Sequence, residues 1–267
     1  MKIVRFISEE NQSLYGAYVN ETPDQAQIIR GDLFGSFEIT DKLAKIQRFL
    51  PPVAPANIFA LGLNYRKHAD ETNMAYPDIP VIFIKATTSA IGHMSHILLP
   101  DAGPEQVDYE AELAIIIGKR AKNISPAEAM KCILGYTCAN DVSARDWQIE
   151  KQKKQWARGK SFDTFCPLGP YLVTCDEIPT PQSLYIRTIV NGSILQDSNT
   201  SDMIFDVPHI VSDLSKSMTL LPGTVILTGT PEGVGFTRTP PVFLHEGDTV
   251  TIEIEKIGQL TNPVTRE

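Results

Sequence analysis

The sequence predicts an α+β fold, mainly β, with a small β-rich N-terminal domain over residues 1–55 and a larger domain over 56–267. Three observations lead there. Short runs rich in branched aliphatic and aromatic residues recur between clusters of Gly, Pro, Asn and Asp, the signature of strands joined by turns. Helical spacing of apolar residues is confined to a few short segments. The stretch Pro51-Pro52-Val53-Ala54-Pro55 cannot lie inside a helix and reads as a stiff linker, which places the boundary near residue 55.

In chain order, Lys2 to Ser8, Leu14 to Val19 and Ala26 to Gly31 read as strands, broken by turns at Glu9-Glu10-Asn11-Gln12 and Glu21-Thr22-Pro23-Asp24. Asp41 to Phe49, with Leu43, Ile46 and Leu50 set among basic residues, is expected to be a short amphipathic helix. Asn57 to Leu63 is a buried strand, followed by a polar helical segment that opens at Arg66. Val81 to Ile84 is another strand, and Lys85 at its end either enters a cleft or snorkels. Ser125-Pro126-Ala127-Glu128 has the cap, first-turn proline and third-position acid of a helix start. Ile133 to Ala139 is an apolar strand that delivers Asn140-Asp141. Ala157 to Phe165 is a loop rich in donors, and the lysines at 151, 153 and 154 form a solvated face. Tyr171 to Thr174 and Leu184 to Val190 are strands, and Asn191-Gly192 is a hairpin signal before Ser193 to Leu195. Phe205 to Met218 is an amphipathic helix with Pro208 in its first turn. A turn at Leu221-Pro222-Gly223, a strand from Thr224 to Leu227, a glycine-rich loop from Thr228 to Gly235 and a last strand from Thr249 to Glu255 complete the chain. That loop lacks the spacing of a phosphate or dinucleotide loop, so its backbone is expected to approach a small ligand.

Composition limits the functions available. A chain of 267 residues with 42% hydrophobic content can bury a full core. A net charge of −8 and a pI near 5.2 argue against nucleic acid or an anionic membrane as partner. Cys132, Cys138, Cys166 and Cys175 have no Cys-x-x-Cys spacing and read as apolar fillers in a reduced cytoplasmic protein without disulfides. The N-terminal apolar stretch is too short for a signal peptide, and no apolar run reaches membrane-spanning length.

The chemistry concentrates in Val107 to Gly118, where acids are set against branched aliphatics. On one continuous strand Asp108, Glu110 and Glu112 share a face, and carboxylates so placed repel each other and resist desolvation. A divalent cation is the simplest compensation, and oxygen ligands select Mg²⁺, with Mn²⁺ or Ca²⁺ as alternatives, over zinc. His68 and Glu71 are three apart on a helix, the spacing of an imidazole oriented by a carboxylate and so of a general base. If Asp141 opens a helical turn, Arg145 and Gln148 lie on its face above the metal. Lys160 can donate to an oxyanion.

Five motifs in register carry a resemblance to the fumarylacetoacetate hydrolase family. They are Asn64-Tyr65-x-x-His68-x-x-Glu71, Asp108-Tyr109-Glu110-Ala111-Glu112-Leu113, Asn140-Asp141 through Gln148, Lys160-Ser161-Phe162-Asp163, and Thr228-Gly229-Thr230-Pro231 through Gly235. The similar stretch runs over residues 56 to 264. It implies a mixed β-sandwich roll flanked by short helices, usually homodimeric, with Glu110, Glu112 and Asp141 as metal ligands. By the same resemblance His68 and Glu71 activate water on a lid, Lys160 is a catalytic donor, and Arg145, Gln148, Thr230 and Tyr65 bind substrate.

A small 2-oxo acid chelated through its keto oxygen and carboxylate has three outcomes at such a site: hydrolytic C–C cleavage of an acylpyruvate, decarboxylation of oxaloacetate, or isomerisation of an unsaturated acid. The His68–Glu71 pair suits water attack, so hydrolysis ranks first. A non-catalytic protein holding a structural ion would need neither a base nor an oxyanion donor.

Overall fold

Turn chemistry and alternation together build the N-terminal sheet. In the computed structural model, which describes residues 1–19, 22–102 and 105–267, strands β1 (Lys2–Ser8), β2 (Ser13–Tyr18) and β3 (Gln25–Gly31) form a meander. The turn expected at Glu21-Thr22-Pro23-Asp24 falls partly outside the described residues, at Glu21. Phe37–Phe49 is a long strand, β4, and not the amphipathic helix expected over Asp41 to Phe49. It pairs with both β3 and β1, and each ladder shifts register once, so the two-residue alternation that marks a strand is broken. Ile39 and Leu43 point to solvent at 43% and 51% exposure, which leaves Leu43, Ile46 and Leu50 looking helical in sequence alone. The linker bends at Pro52 and Val53, and it is no free spacer, because both residues are buried.

The remaining elements are β5 (Ile58–Gly62), α1 (Arg66–Glu71), β6 (Val81–Lys85), β7 (Ala90–Ile91), β8 (Ile97–Leu99), β9 (Val107–Asp108), β10 (Ala111–Ile117), α2 (Pro126–Ala129), β11 (Ile133–Asn140) and β12 (Ser143–Ala144). They continue with α3 (Trp156–Gly159), β13 (Cys166–Thr174), β14 (Tyr185–Val190), β15 (Ser193–Asn199), α4 (Val207–Ser217), β16 (Val225–Leu227), β17 (Thr249–Ile254) and β18 (Gly258–Arg266). The main sheet runs in the order β2-β3-β4-β1-β13-β11-β10-β16-β5-β6, with β7 beside β13. β1 pairs with β13, so the sheet continues across residue 55. A second, five-stranded sheet runs β15-β14-β17-β18-β8, and its inward side chains share one core with the main sheet. This is the mainly β, α+β architecture, with short helices at its margins.

β10 lies at the centre of the main sheet, antiparallel to both β11 and β16, and all seven of its residues are buried. Burial on both faces explains the unbroken Leu113-Ala114-Ile115-Ile116-Ile117 run. Truncating Ile115 to Ala would cost about 2–5 kcal/mol, the range for a closed core site. α4 starts where Asp206 accepts a bond from the His209 N–H at 2.9 Å, and its stripe of Ile210, Val211 and Leu214 packs inward. Ser125 and Glu128 complete the expected capping box of α2. All four cysteines are free, Cys138 and Cys166 being buried. Among the described residues, no helix is long and apolar enough to cross a membrane.

Candidate active site

The register of β10 against β11 assembles the acids. Ala111 lies opposite Asn140, which puts the two glutamates flanking Ala111 beside Asp141 at the end of β11. One carboxylate oxygen each from Glu110, Glu112 and Asp141 falls within a 4.8 Å cluster, and all three residues are buried. Asp108 does not join them. The strand breaks at Tyr109-Glu110 into β9 and β10, so Asp108, Glu110 and Glu112 do not share one face as a continuous strand would require. Asp108 turns instead to Arg145 Nε at 2.9 Å and to the N–H groups of Gly235 and Phe236 at 2.8 and 3.1 Å.

Three buried cations answer these acids. Lys160 Nζ donates to Glu110 Oε2 (2.9 Å), Asp141 Oδ2 (2.7 Å) and Ser143 Oγ (2.7 Å), so all three of its donors are engaged. An oxyanion would have to displace one of them. Lys85, which the sequence left between cleft and surface, is fully buried and donates to Asp141 Oδ1 and to the Lys160 carbonyl. Arg145 Nη2 lies 2.6 Å from Glu110 Oε1 as an ion pair without hydrogen-bond alignment, and Arg145 Nη1 donates to Gln148 Oε1 at 2.9 Å. Arg145 reaches the site by another route than the expected helical turn. Asp141 precedes a β-bridge at Ser143-Ala144, and a π-helical segment from Asp146 to Lys151 follows Arg145 and carries Gln148.

Electrostatics single out Glu112. Burial raises Glu110, but Lys160 and Arg145 outweigh it and bring its carboxyl down to about 2. Burial works against the Lys160 ammonium, yet Asp141 and Glu110 keep its pKa above the ordinary lysine value. Glu112 is pushed well up by burial and then by Asp141 and Glu110, with only the Gly229 N–H (2.6 Å) and the more distant Lys160 opposing. Its Oε1 is buried with no hydrogen-bond partner. An all-oxygen donor set with one orphaned carboxylate oxygen fits a divalent cation. With Asp108, four carboxylates face three cations, a balance of −1 that a divalent ion would turn to +1. That sign suits an anionic ligand, whereas the three acids taken alone would stay negative.

His68 pairs with Glu71. Its Nδ1 lies 2.6 Å from Glu71 Oε1, as the three-residue spacing on α1 predicts. Glu71 Oε2 accepts from Gly233 N–H at 3.0 Å and Thr237 Oγ1 at 3.2 Å, which ties α1 to the glycine-rich loop. Burial raises Glu71, but the His68 bond and these donors more than offset it and hold the carboxyl below its ordinary value. The loop's N–H groups at Gly229, Gly233 and Gly235 therefore serve protein carboxylates, not the small ligand expected there. At Gly229, with φ of +93°, a Cβ would sit 2.8 Å from that of Asn64, so glycine is needed for the close approach.

A cavity of about 270 Å³ opens over this ground, lined at its polar end by His68, Glu110, Arg145, Gln148, Lys160 and Thr230. Leu61, Phe83, Trp156 and Phe236 give it apolar walls. Tyr65 is absent from that lining. It is fully buried in the core, and its hydroxyl, raised by burial and then by Glu112, has no partner. The expected donor loop over Ala157 to Phe165 begins as the short helix α3, whose C-terminal end holds Lys160 in place. Sequence reading missed Gln196, which accepts from Ala111 N–H (2.9 Å) and donates to Thr230 Oγ1 (2.9 Å), joining the acid strand to the loop. Nothing local marks it, since it acts across the two sheets.

Residues 57–265 match the family model for the fumarylacetoacetate (FAA) hydrolase C-terminal domain. The chain belongs to the fumarylacetoacetate hydrolase family. A mitochondrial oxaloacetate tautomerase, fahd2, of Xenopus laevis is 50% identical over 221 residues, 83% of this chain and 69% of that protein. The crystal structure of a 5-carboxymethyl-2-hydroxymuconate delta-isomerase from Mycobacterium smegmatis superposes with a TM-score of 0.88 at 42% identity, covering 100% of both chains. A fumarylacetoacetate hydrolase from Exiguobacterium antarcticum gives a TM-score of 0.88 at 35% identity, again over 100% of both. Members of the family thus include named hydrolases, isomerases and tautomerases on one fold, and the buried acidic cluster, able to hold a divalent metal, sits inside the matched region.

Proposed function

We propose that this chain is a divalent-metal-dependent tautomerase that relocates a proton in a small 2-oxo acid of the oxaloacetate type. The observation that supports a proton-transfer base is the His68 Nδ1–Glu71 Oε1 contact of 2.6 Å, which leaves the other ring nitrogen for the cavity beside the acidic cluster, and the similarity to a tautomerase carries the choice of reaction. Glu110, Glu112 and Asp141 would hold the cation, Mg²⁺ or a like oxygen-loving ion, which when bound supplies Lewis acidity to the keto group.

The chain's own groups do the rest. With Glu71 accepting from Nδ1–H, His68 Nε2 is free to take the C3 proton as the C–H electron pair becomes the C2=C3 double bond. The carbonyl electron pair moves to oxygen, and the proton returned there completes an enol with no net gain or loss of atoms. Arg145 and Gln148 orient the acid, and the apolar walls limit the water that competes for the base.

Hydrolysis, ranked first from the sequence, uses the same base on water, so the dyad alone does not separate the two. The similarity to a tautomerase and to isomerases supports relocation of a proton over cleavage. Mg²⁺-loaded protein given oxaloacetate enol should speed the loss of enol absorbance without release of pyruvate, and should leave acetylpyruvate uncleaved. Pyruvate appearing in step with enol loss would replace this reading with decarboxylation, and acetylpyruvate cleavage would restore hydrolysis.

A further inference from the structure

Every basic side chain lining the cavity but one has a carboxylate neighbour: His68 has Glu71, Arg145 has Asp108 and Glu110, and Lys160 has Glu110 and Asp141. Lys154 is the exception. It lines the same cavity, yet among the described residues no carboxylate oxygen lies within 4.0 Å of its ammonium. The sequence placed it with Lys151 and Lys153 on a solvated face. Lys151 does pair with Asp146 at 2.8 Å, but Lys154 is carried to the cavity by the backbone.

The device is local. The π-helical segment from Asp146 to Lys151 brings Gln148 and Ile149 to the cavity and ends in two successive left-handed residues, Lys153 (φ +49°) and Lys154 (φ +64°). Lysine rarely adopts that conformation, and here two occur in a row, with Lys154 N–H bonded back to the Ile149 carbonyl at 3.3 Å. A π-turn followed by a strained pair is a costly way to place a residue meant only for solvent. The same cavity is walled by the apolar side chains of Ile149, Trp156 and Phe83. Beside its ion-paired groups and apolar walls the cavity thus carries one lysine that has no carboxylate partner among the described residues.

We propose that Lys154 is a specificity-determining residue that receives the second carboxylate of a dicarboxylic 2-oxo acid whose 2-oxo carboxylate end lies at the acidic cluster. This rests on the 2-oxo acid reading above and deepens it, selecting diacids over monoacids of the same length. Lys154 is exposed, so its contribution is that of a partly screened ion pair, a preference of about 1.5- to 5-fold that shrinks with salt.

Calorimetry on Mg²⁺-loaded protein tests it without turnover. The probes are 2-oxoadipate and 2-oxohexanoate, which share a 2-oxo end and chain length and differ only in the distal carboxylate. Wild type should bind the diacid about 1.5- to 5-fold more tightly; Lys154→Met should lose that preference with 2-oxohexanoate and oxalate binding unchanged, and Lys154→Arg should keep it. A preference that survives in Lys154→Met, or is missing from wild type, overturns the assignment. If wild type binds neither acid nor oxalate, the 2-oxo acid reading itself falls, and this proposal with it. Absence of tautomerase activity alongside intact diacid preference would count against the reaction alone.

Discussion

Replacing Glu71 by glutamine tests how much of the site's chemistry depends on one carboxylate. Glu71 accepts three bonds, from His68 Nδ1, Gly233 N–H and Thr237 Oγ1. Glutamine offers one carbonyl oxygen. If it faces His68, the amide NH₂ meets the Gly233 N–H, donor against donor. The charge-assisted bond to the imidazole, about 1.5–3 kcal/mol, falls to a neutral bond of about 0.5–1.5 kcal/mol, and an N–H is left unsatisfied. That weakening, about 1–1.5 kcal/mol taken end against end, predicts a fall in kcat of about 5- to 15-fold, against about 10²- to 10⁴-fold for His68→Ala. The pH dependence follows from the sign of the shift. Because the Glu71 carboxyl is held below its ordinary 4.5, its contribution is complete above that value and is lost only as pH falls through the lowered one. Between pH 5 and 8 Glu71 therefore stays charged, and its own titration adds no slope to the wild-type kcat profile. The assay is enol-absorbance kinetics with metal at saturation. A Glu71→Gln enzyme within about twofold of wild type, beside an inactive His68→Ala, would refute the view that the carboxylate tunes the imidazole.

Glu112→Gln removes the one cluster carboxylate that burial, Asp141 and Glu110 leave uncompensated, so the metal-free protein should melt at a higher temperature while its Mg²⁺-dependent stabilisation disappears. Thermal melts with and without Mg²⁺ would show both effects, and an unchanged Mg²⁺ shift would remove Glu112 from the ligand set. His93 titrates low because it is buried, and its Nδ1 accepts the Thr261 N–H at 3.0 Å. The unfolded chain therefore binds the proton first, and stability should decline as pH drops from about 7 through 6.5 toward the lower folded value. His93→Gln should flatten that slope in urea unfolding, and an identical slope in the variant would exclude the imidazole as its source.

Legibility in the sequence followed how local each determinant is. β1 over Lys2–Ser8 and the hairpin at Asn191-Gly192 are set by flanking turns and alternation, and both were readable. Asp41 to Phe49 was not, because two register shifts and outward-facing Ile39 and Leu43 erase the strand period. β18 was missed although it pairs fully with β17, since its Gln259 to Asn262 stretch is too polar to announce a strand. At the site, acids set against a run of aliphatics drew notice to Asp108, Glu110 and Glu112, and the family resemblance is what put Asp141 in the place of Asp108. The fate of Asp108 depends on Arg145, Gly235 and Phe236, which are remote in sequence and reach it only through the fold. Lys85 and Gln196 are hidden for the same reason, their partners lying 56 and 85 residues away.

The central claim is that His68 relocates a proton at C3 of a chelated 2-oxo acid, and exchange at that carbon reads it directly. Mg²⁺-loaded protein in D₂O should speed deuterium entry at C3 of oxaloacetate, followed by NMR, well ahead of any pyruvate formed, and His68→Ala should slow the exchange by about 10²- to 10⁴-fold with oxalate binding unchanged. Exchange that matches the metal-only rate in the wild type, or that survives intact in His68→Ala, would contradict it.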